Sequence, residues 1–273
     1  MAKLLKIGIV GCGAIGSSLA RAIVDDFSHK AELTNLHDID MQKSYTLANR
    51  LNNQKLVALN LEDLINKAEL VIEATKADSA FDIAQKTILA SRNIMIMSVG
   101  GIIDRHKELQ ILAQEKNVRM FIPSGAICGI DGLKAAACGK ITKVTLTTKK
   151  PPKAFLGLPY LLKKKIRLDN ISEDVVIFEG SAISAIRLFP QNINVAATLS
   201  IAGIGAENTA VRIIASPHIT KNIHEVEIDS DSGRIFSRTE NVIHPDNPKT
   251  SYLAVLSAIA TLKQILEPIK IGA

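Results

Sequence analysis

The chain has no tryptophan, and aromatic residues of any kind make up only 4% of its 273 positions. A nucleic-acid surface built on base stacking wants more rings than that, and far more charge than a net +6. The basic runs Lys149-Lys150 and Lys163-Lys164-Lys165 suit steering of a small anionic substrate, or simply a solvated face. Cysteine is scarce too: Cys12, Cys128 and Cys138 cannot form a disulfide framework, and no Cys/His cluster suggests a metal. No apolar run reaches the roughly 18 residues of a membrane-spanning helix. Met1 to Lys6 lead straight into a strand-like stretch, without a signal-peptide core or cleavage site. These absences predict a cytoplasmic protein with no metal, no nucleic-acid partner and no membrane partner. What remains, 47% hydrophobic and 22% charged residues, is ordinary for a folded chain of one large domain or two modest ones.

The first 120 residues alternate short apolar runs with helix-like stretches. Leu5–Val10, Ala31–Asp38, Leu70–Ala74, Asn93–Val99 and Arg119–Ile122 read as strands. Ile15, Leu19 and Ile23 keep helical spacing, as do Gln42–Leu51, Phe81–Leu89 and His106–Gln114. Such alternation predicts parallel βαβ units in an open, doubly wound α/β domain. The pattern changes after Pro123. Strands become longer and amphipathic from Lys143, with others at Val175–Phe178, Val211–Ala215 and Ile223–Ile228. Asp229-Ser230-Asp231-Ser232-Gly233 is a turn that pairs Ile223–Ile228 with Arg234–Arg238. Ser181–Leu188 and Asn194–Ala202 are helical, and Thr250 or Ser251 can cap a last helix that Pro268 ends. The second region is thus α+β on a mainly antiparallel sheet, joined to the first near residue 123.

The strongest chemical signal is Gly11-Cys12-Gly13-Ala14-Ile15-Gly16. It follows a strand and opens a helix, where Gly11 permits the tight turn and Gly13 lets backbone approach a pyrophosphate. Gly16 lets helix and strand pack closely, with the helix N-terminus facing the phosphates. An acidic residue about 20 positions on is the second test, and Asp38 stands 22 residues after Gly16 at the end of the second strand, with Asp40 a weaker alternative. A carboxylate there accepts ribose hydroxyls and repels a 2′-phosphate, and no arginine follows it, so NAD is favoured and NADP is the alternative. Ala74-Thr75-Lys76-Ala77 and Ser98-Val99-Gly100-Gly101 follow later strands and should border the nicotinamide half. Of six histidines, His224, on a strand in Asn222-Ile223-His224-Glu225, is the catalytic candidate, although an isolated strand histidine is more often structural.

Taken together, the glycine motif, Pro123-Ser124-Gly125-Ala126-Ile127-Cys128-Gly129-Ile130-Asp131, Thr148-Lys149-Lys150-Pro151, Phe189-Pro190-Gln191-Asn192-Ile193-Asn194-Val195-Ala196, Asn222-Ile223-His224-Glu225 and Asn247-Pro248-Lys249-Thr250-Ser251 resemble the L-aspartate dehydrogenase family in order and spacing. The resemblance runs along essentially the whole chain. It implies a Rossmann domain over 1–122, completed by a C-terminal helix at 250–273, and a catalytic and dimerisation domain over 123–249. It implies oxidation of L-aspartate with NAD or NADP to iminoaspartate, which yields oxaloacetate and ammonia or feeds NAD biosynthesis, in a homodimer. His224 matches the family's catalytic histidine; Ala126 and one of Asn192 or Asn194 match cofactor contacts, besides Gly11, Gly13, Ala14, Ile15, Gly16 and Asp38. Asn192 also suits a helix N-cap, which favours Asn194. One departure is Lys76, a lysine where a small residue is expected.

The chemistry fits these residue types. An imidazole with an ordinary pKa of about 6.5 takes the ammonium proton or activates water near working pH. Lys149, Lys150, Asn192, Asn194, Lys249 and Thr250 are candidates to hold the dicarboxylate. Two alternatives remain open: a two-domain reductase of another amino acid, imine or aldehyde, of dihydrodipicolinate or homoserine type, and an NAD-binding sensor without turnover.

Overall fold

A computed structural model of the chain describes residues 3–189, 194–245 and 247–272, with the backbone alone at 247–249. The chain divides into two compact units. Unit 1 comprises residues up to Pro123 together with Val255–Ile271, and unit 2 comprises Ser124–Ala254 together with Gly272.

Unit 1 is a five-stranded parallel sheet in the order β2-β1-β3-β4-β5. Its strands are β1 (Leu5–Val10), β2 (Ala31–His37), β3 (Leu70–Glu73), β4 (Asn93–Ile96) and β5 (Met120–Phe121). The helices between them are α1 (Ala14–Asp25), α2 (Met41–Arg50), α3 (Leu61–Lys67), α4 (Ala77–Leu89) and α5 (His106–Glu115). Because β2 lies on one side of β1 and β3 on the other, the strand order reverses between β1 and β3, which is where ligands settle in such sheets. Alternate residues of β1 enter two cores. Ile7 and Ile9 pack with Leu19, Ile23 and Ile72, and Val10 packs with Leu64, Val71 and Ile83. The first core also receives Ala258 and Leu262. Both belong to the last helix of the chain, which runs from Tyr252 to Leu266. The helix α3 is absent from the sequence expectation; its Asn60 cap accepts a hydrogen bond from the Asp63 N–H at 2.8 Å.

Unit 2 begins with α6 (Ile130–Ala136), an unforeseen helix in the small-residue stretch after Pro123. There follow β6 (Ile141–Lys150), α7 (Pro159–Lys164), β7 (Val175–Ser181), α8 (Ala182–Leu188), α9 (Asn194–Ala202), β8 (Thr209–Ala215), β9 (Asn222–Ser230) and β10 (Gly233–Asn241). The sheet order is β10-β9-β6-β8-β7. Only β6 and β8 run parallel; the other pairings are antiparallel. The expected hairpin forms as β9 and β10, with Gly233 opposite Ser230. Ile243–His244 and Asn247–Ser251 form a further small ladder, so the last helix opens at Tyr252, directly after strand residues that the sequence reading takes as its cap. Among the described residues no helix is long and apolar enough to cross a membrane.

Candidate functional site

In unit 1 the glycine loop leaves β1 at its carboxyl end. Gly11 has φ +98°, and a Cβ there would overlap the Ala74 carbonyl that follows β3. A Cβ on Gly16 would overlap the Gly11 carbonyl itself, so α1 lies on the loop at a distance that only glycine allows. Gly13 differs. Its φ is −75°, and a Cβ there would meet nothing within 4 Å. Gly13 is also the N-cap of α1 and supplies no side-chain hydrogen bond. The first-turn N–H groups, including those of Ala14, Ile15 and Gly16, therefore have no partner within the helix, and open space lies over the loop.

Asp38 follows β2 and is 8% exposed. Its Oδ2 accepts the Cys12 N–H at 2.8 Å and its Oδ1 accepts the Asp40 N–H at 2.9 Å. The carboxylate thus braces the glycine loop while each oxygen keeps a further lone pair for a hydroxyl. The Cys12 thiol, 3.6 Å from Ser44 Oγ, is pushed up to about 11 by burial and stays protonated. An open loop, an uncapped helix and a carboxylate at the second strand fit a dinucleotide.

The two loops expected at the nicotinamide side are tied by one side chain. Glu73, at the end of β3, is fully buried. Its Oε1 accepts the Thr75 N–H and Oγ1–H, each at 2.7 Å, and its Oε2 accepts the Ser98 N–H at 2.9 Å. Ser98 Oγ in turn donates to Thr75 O at 2.8 Å. Lys76 is exposed at the N-cap position of α4 and makes no side-chain cap. In Glu73→Gln the amide nitrogen would face a donor, so stability should fall by about 1–3 kcal/mol. A lower thermal midpoint and a higher KM for NAD would register it.

In unit 2 a polar row crosses the buried face of the sheet. Register places His224 of β9 between Thr148 of β6 and Thr239 of β10. His224 is 5% exposed, with Nδ1 and Thr148 Oγ1 3.0 Å apart. Thr239 Oγ1 donates to Ala126 O at 2.9 Å and Asn241 Nδ2 donates to the same carbonyl at 3.0 Å. Ser237 Oγ donates to Cys128 O at 3.0 Å. Side chains of β10 therefore pin the segment that carries Ala126 beside the histidine. Thr239 and Asn241 escape the sequence reading, although the alternation of β10 is a signal that could have found them; Thr148 enters it only as part of the Thr148-Lys149-Lys150-Pro151 segment.

The imidazole does not titrate where the sequence suggests. Burial first, and then the neighbouring Lys150 ammonium, push it down to about 3, so it is neutral at working pH. Expecting a residue poised near 6.5 overlooks what three packed strands do to a charge. The paired lysines separate as well. Lys149 turns to the outer face, 3.8 Å from Asp174 Oδ2. Lys150 stays on the inner face with Val144, Leu146 and Thr148, and burial pushes its ammonium down to about 8. Asn194 is the exposed first residue of α9. Asn192 and the side chain of Lys249 lie outside the described residues. No group of three metal-ligating side chains occurs among the described residues. A cavity of about 620 Å³, lined by Lys6, Glu32, Asn35, Glu69 and Arg92, lies at the amino ends of the unit 1 strands, at the opposite end of that sheet from the glycine loop.

Residues 131–265 match the family model described as aspartate dehydrogenase, C-terminal, and residues 11–123 match the NAD binding domain of homoserine dehydrogenase. The L-aspartate dehydrogenase of Methanosarcina mazei is 44% identical over 98% of this chain and all of its own length. That of Nitrosopumilus maritimus is 37% identical over 98% of this chain and 99% of its own. Among solved structures, aspartate dehydrogenase from Thermotoga maritima superposes with a TM-score of 0.76 at 25% identity, covering 99% of this chain and 100% of that one.

Proposed function

The chain belongs to the L-aspartate dehydrogenase family, and from that premise we propose how its residues divide the work. The reaction is the NAD-dependent oxidation of L-aspartate to iminoaspartate, which hydrolyses to oxaloacetate and ammonia. When bound, NAD supplies the two-electron acceptor for the hydride on the substrate Cα. Backbone groups of Gly11, Gly13, Ala14, Ile15 and Gly16 hold its diphosphate. Asp38 accepts the ribose hydroxyls and repels a 2′-phosphate, which favours NAD over NADP. Ala126 and Asn194 are proposed as further cofactor contacts, with Asn192 as the alternative to Asn194.

The observation that carries the substrate reading is the row Thr148–His224–Thr239, bonded to Ala126. Thr148 fixes the ring of His224, which as a neutral imidazole offers its other nitrogen to the substrate and orients it. Hydride loss from Cα needs the α-amine neutral, so the chain must also remove a proton from the bound ammonium. The homoserine dehydrogenase match covers the dinucleotide unit only and gives no support for that substrate.

NADH formation with L-aspartate, beside D-aspartate, L-glutamate, L-homoserine and L-alanine, tests the reading with NAD and NADP in parallel. Turnover with L-aspartate and NAD is expected. Silence there, with turnover on another amino acid, would assign a different substrate to the same scaffold. Two copies are proposed to associate through the outer face of the second sheet, where Phe236 is exposed alongside Arg238 and Glu240. Light scattering in solution should give twice the chain mass.

A further inference from the structure

We propose that the cavity at the amino ends of the first sheet binds a phosphate monoester that also carries hydroxyl groups, either a sugar phosphate or a nucleoside monophosphate. This site lies wholly in unit 1, at the other end of the sheet from the glycine loop. Its volume of about 620 Å³ falls within the roughly 300–1,000 Å³ of small-molecule sites.

An extra residue in β2 builds its floor. Ile7 of β1 pairs with Leu33, but Gly8 pairs with Asn35, so Thr34 is inserted between them. Leu33 and Leu36, three residues apart, both enter the core that α1 covers. The insertion turns Asn35 to the opposite face, as bulges that re-aim a side chain do. Gly8, facing it, brings no side chain, and a Cβ there would press on Leu64 of α3 at 2.7 Å. Helix α3 thus closes over the sheet at Gly8. One pair nearer the amino end, Lys6 and Glu32 are exposed and the groove opens.

Asn35 is the unusual member of this lining. It is 2% exposed, and its Oδ1 is buried with no hydrogen-bond partner among the described residues. An amide oxygen in that position destabilises the fold unless something donates to it. A half-turn about the last torsion exchanges Oδ1 and Nδ2. The carboxamide can therefore offer the cavity an acceptor for a hydroxyl or donors for an anion. Arg92 repeats the pattern. Its Nε is buried without a partner among the described residues, while Nη2 donates to Asn66 O at 3.1 Å and anchors the group to α3.

Charge selects the ligand class. Lys3 and Lys6 flank Glu69, Lys67 pairs with Asp63 at 2.9 Å, and Lys55 and Arg92 stand with Glu32 on the rim. Five cations against three carboxylates leave a surplus of two, which a phosphate monoester dianion matches. The amides of Asn53 and Asn66 on the walls suit hydroxyl groups, which a simple dicarboxylate lacks.

Calorimetric titration with ribose 5-phosphate tests the site, in enzyme saturated with NAD so that the glycine loop is already occupied. Binding with a Kd below about 1 mM is expected, and ribose without the phosphate should not bind. Asn35→Leu should weaken binding at least about tenfold. Its thermal midpoint should hold or rise, because the unpartnered oxygen is gone. Lys55→Glu, on an exposed turn where folding is not at stake, should weaken binding about fivefold. By NMR, the side-chain amide of Asn35 should shift when ribose 5-phosphate is added. Adenosine 5′-monophosphate in the same titration separates the two sources: tighter binding than ribose 5-phosphate marks a nucleotide site, weaker binding a sugar phosphate site. Failure of both to bind the NAD-saturated enzyme overturns the proposal. Equal binding in the wild type, Asn35→Leu and Lys55→Glu does so too.

Discussion

Alanine at Gly16 should unfold or severely destabilise the first unit, whereas alanine at Gly13 should leave it folded and unable to bind NAD. The two glycines sit three residues apart in one motif, yet they meet opposite surroundings. A Cβ on Gly16 would overlap the Gly11 carbonyl, which is backbone and cannot swing aside, and would press on Ile9 Cγ2 at 3.3 Å. Relief requires α1 to lift from β1, disturbing the core that Leu19 and Ile23 make with Ile7 and Ile9. Overpacking of a core commonly costs about 1–3 kcal/mol, and a clash with fixed backbone belongs at or above the upper end. Gly13 has a φ that any residue adopts, and nothing within 4 Å of its would-be Cβ. A methyl group there occupies only the space over the helix N-terminus that a diphosphate needs. Thermal unfolding and NAD titration separate the cases. Equal losses of stability in the two variants, or unchanged NAD binding in Gly13→Ala, would refute the assignment of the loop.

His224→Asn should cost about 10²–10³ in kcat, the scale for losing one preorganised hydrogen-bonding group, with NAD affinity unchanged. The same variant should become less sensitive to acid. The imidazole is held near 3 when folded against its ordinary 6.5, so between those values the unfolded chain carries a proton that the folded chain excludes. Stability must then fall as the pH drops below about 6.5, by up to about 1.4 kcal/mol per pH unit from this residue, and the contribution is level above it. Removing the imidazole should flatten that slope. Denaturant unfolding across pH 4–7 reads the effect, and a purely structural histidine would show the altered slope with turnover intact. Lys150 acts with the same sign higher up the scale, so stability should also climb between about pH 8 and 10.5.

Much of this architecture is visible in the residue order. The span Asn194–Ala202 emerges as a helix with the boundaries its spacing suggests, and the Asp-Ser-Asp-Ser-Gly turn joins the strands on either side of it. Glycines after a strand followed by Asp38 identify the dinucleotide unit because each residue there answers a local steric or charge demand. Helix α3 escapes because seven residues with three apolar side chains make a weak period, and packing of Leu64 and Ile65 supplies what propensity lacks. The surroundings of His224 escape for a different reason. Thr148 lies 76 residues before it and Thr239 fifteen after, and only strand register brings the three together. The opposite faces taken by Lys149 and Lys150 follow from two-residue alternation along β6, but which face is buried depends on what packs over it. Protonation is harder still to read, since it reflects solvent exclusion by several elements at once.

The helix Tyr252–Leu266 gives the chain a timetable. Ala258 and Leu262 complete the hydrophobic core of a unit whose strands are all made before Pro123. A ribosome adding about 5–20 residues per second needs on the order of ten seconds to cover the intervening segment, and in that interval the first unit waits with one apolar flank uncovered. Every strand of the second unit is made before that helix emerges. Synthesis therefore runs from amino to carboxyl end while completion of the cores runs the other way, and the dinucleotide-binding unit is the last to close.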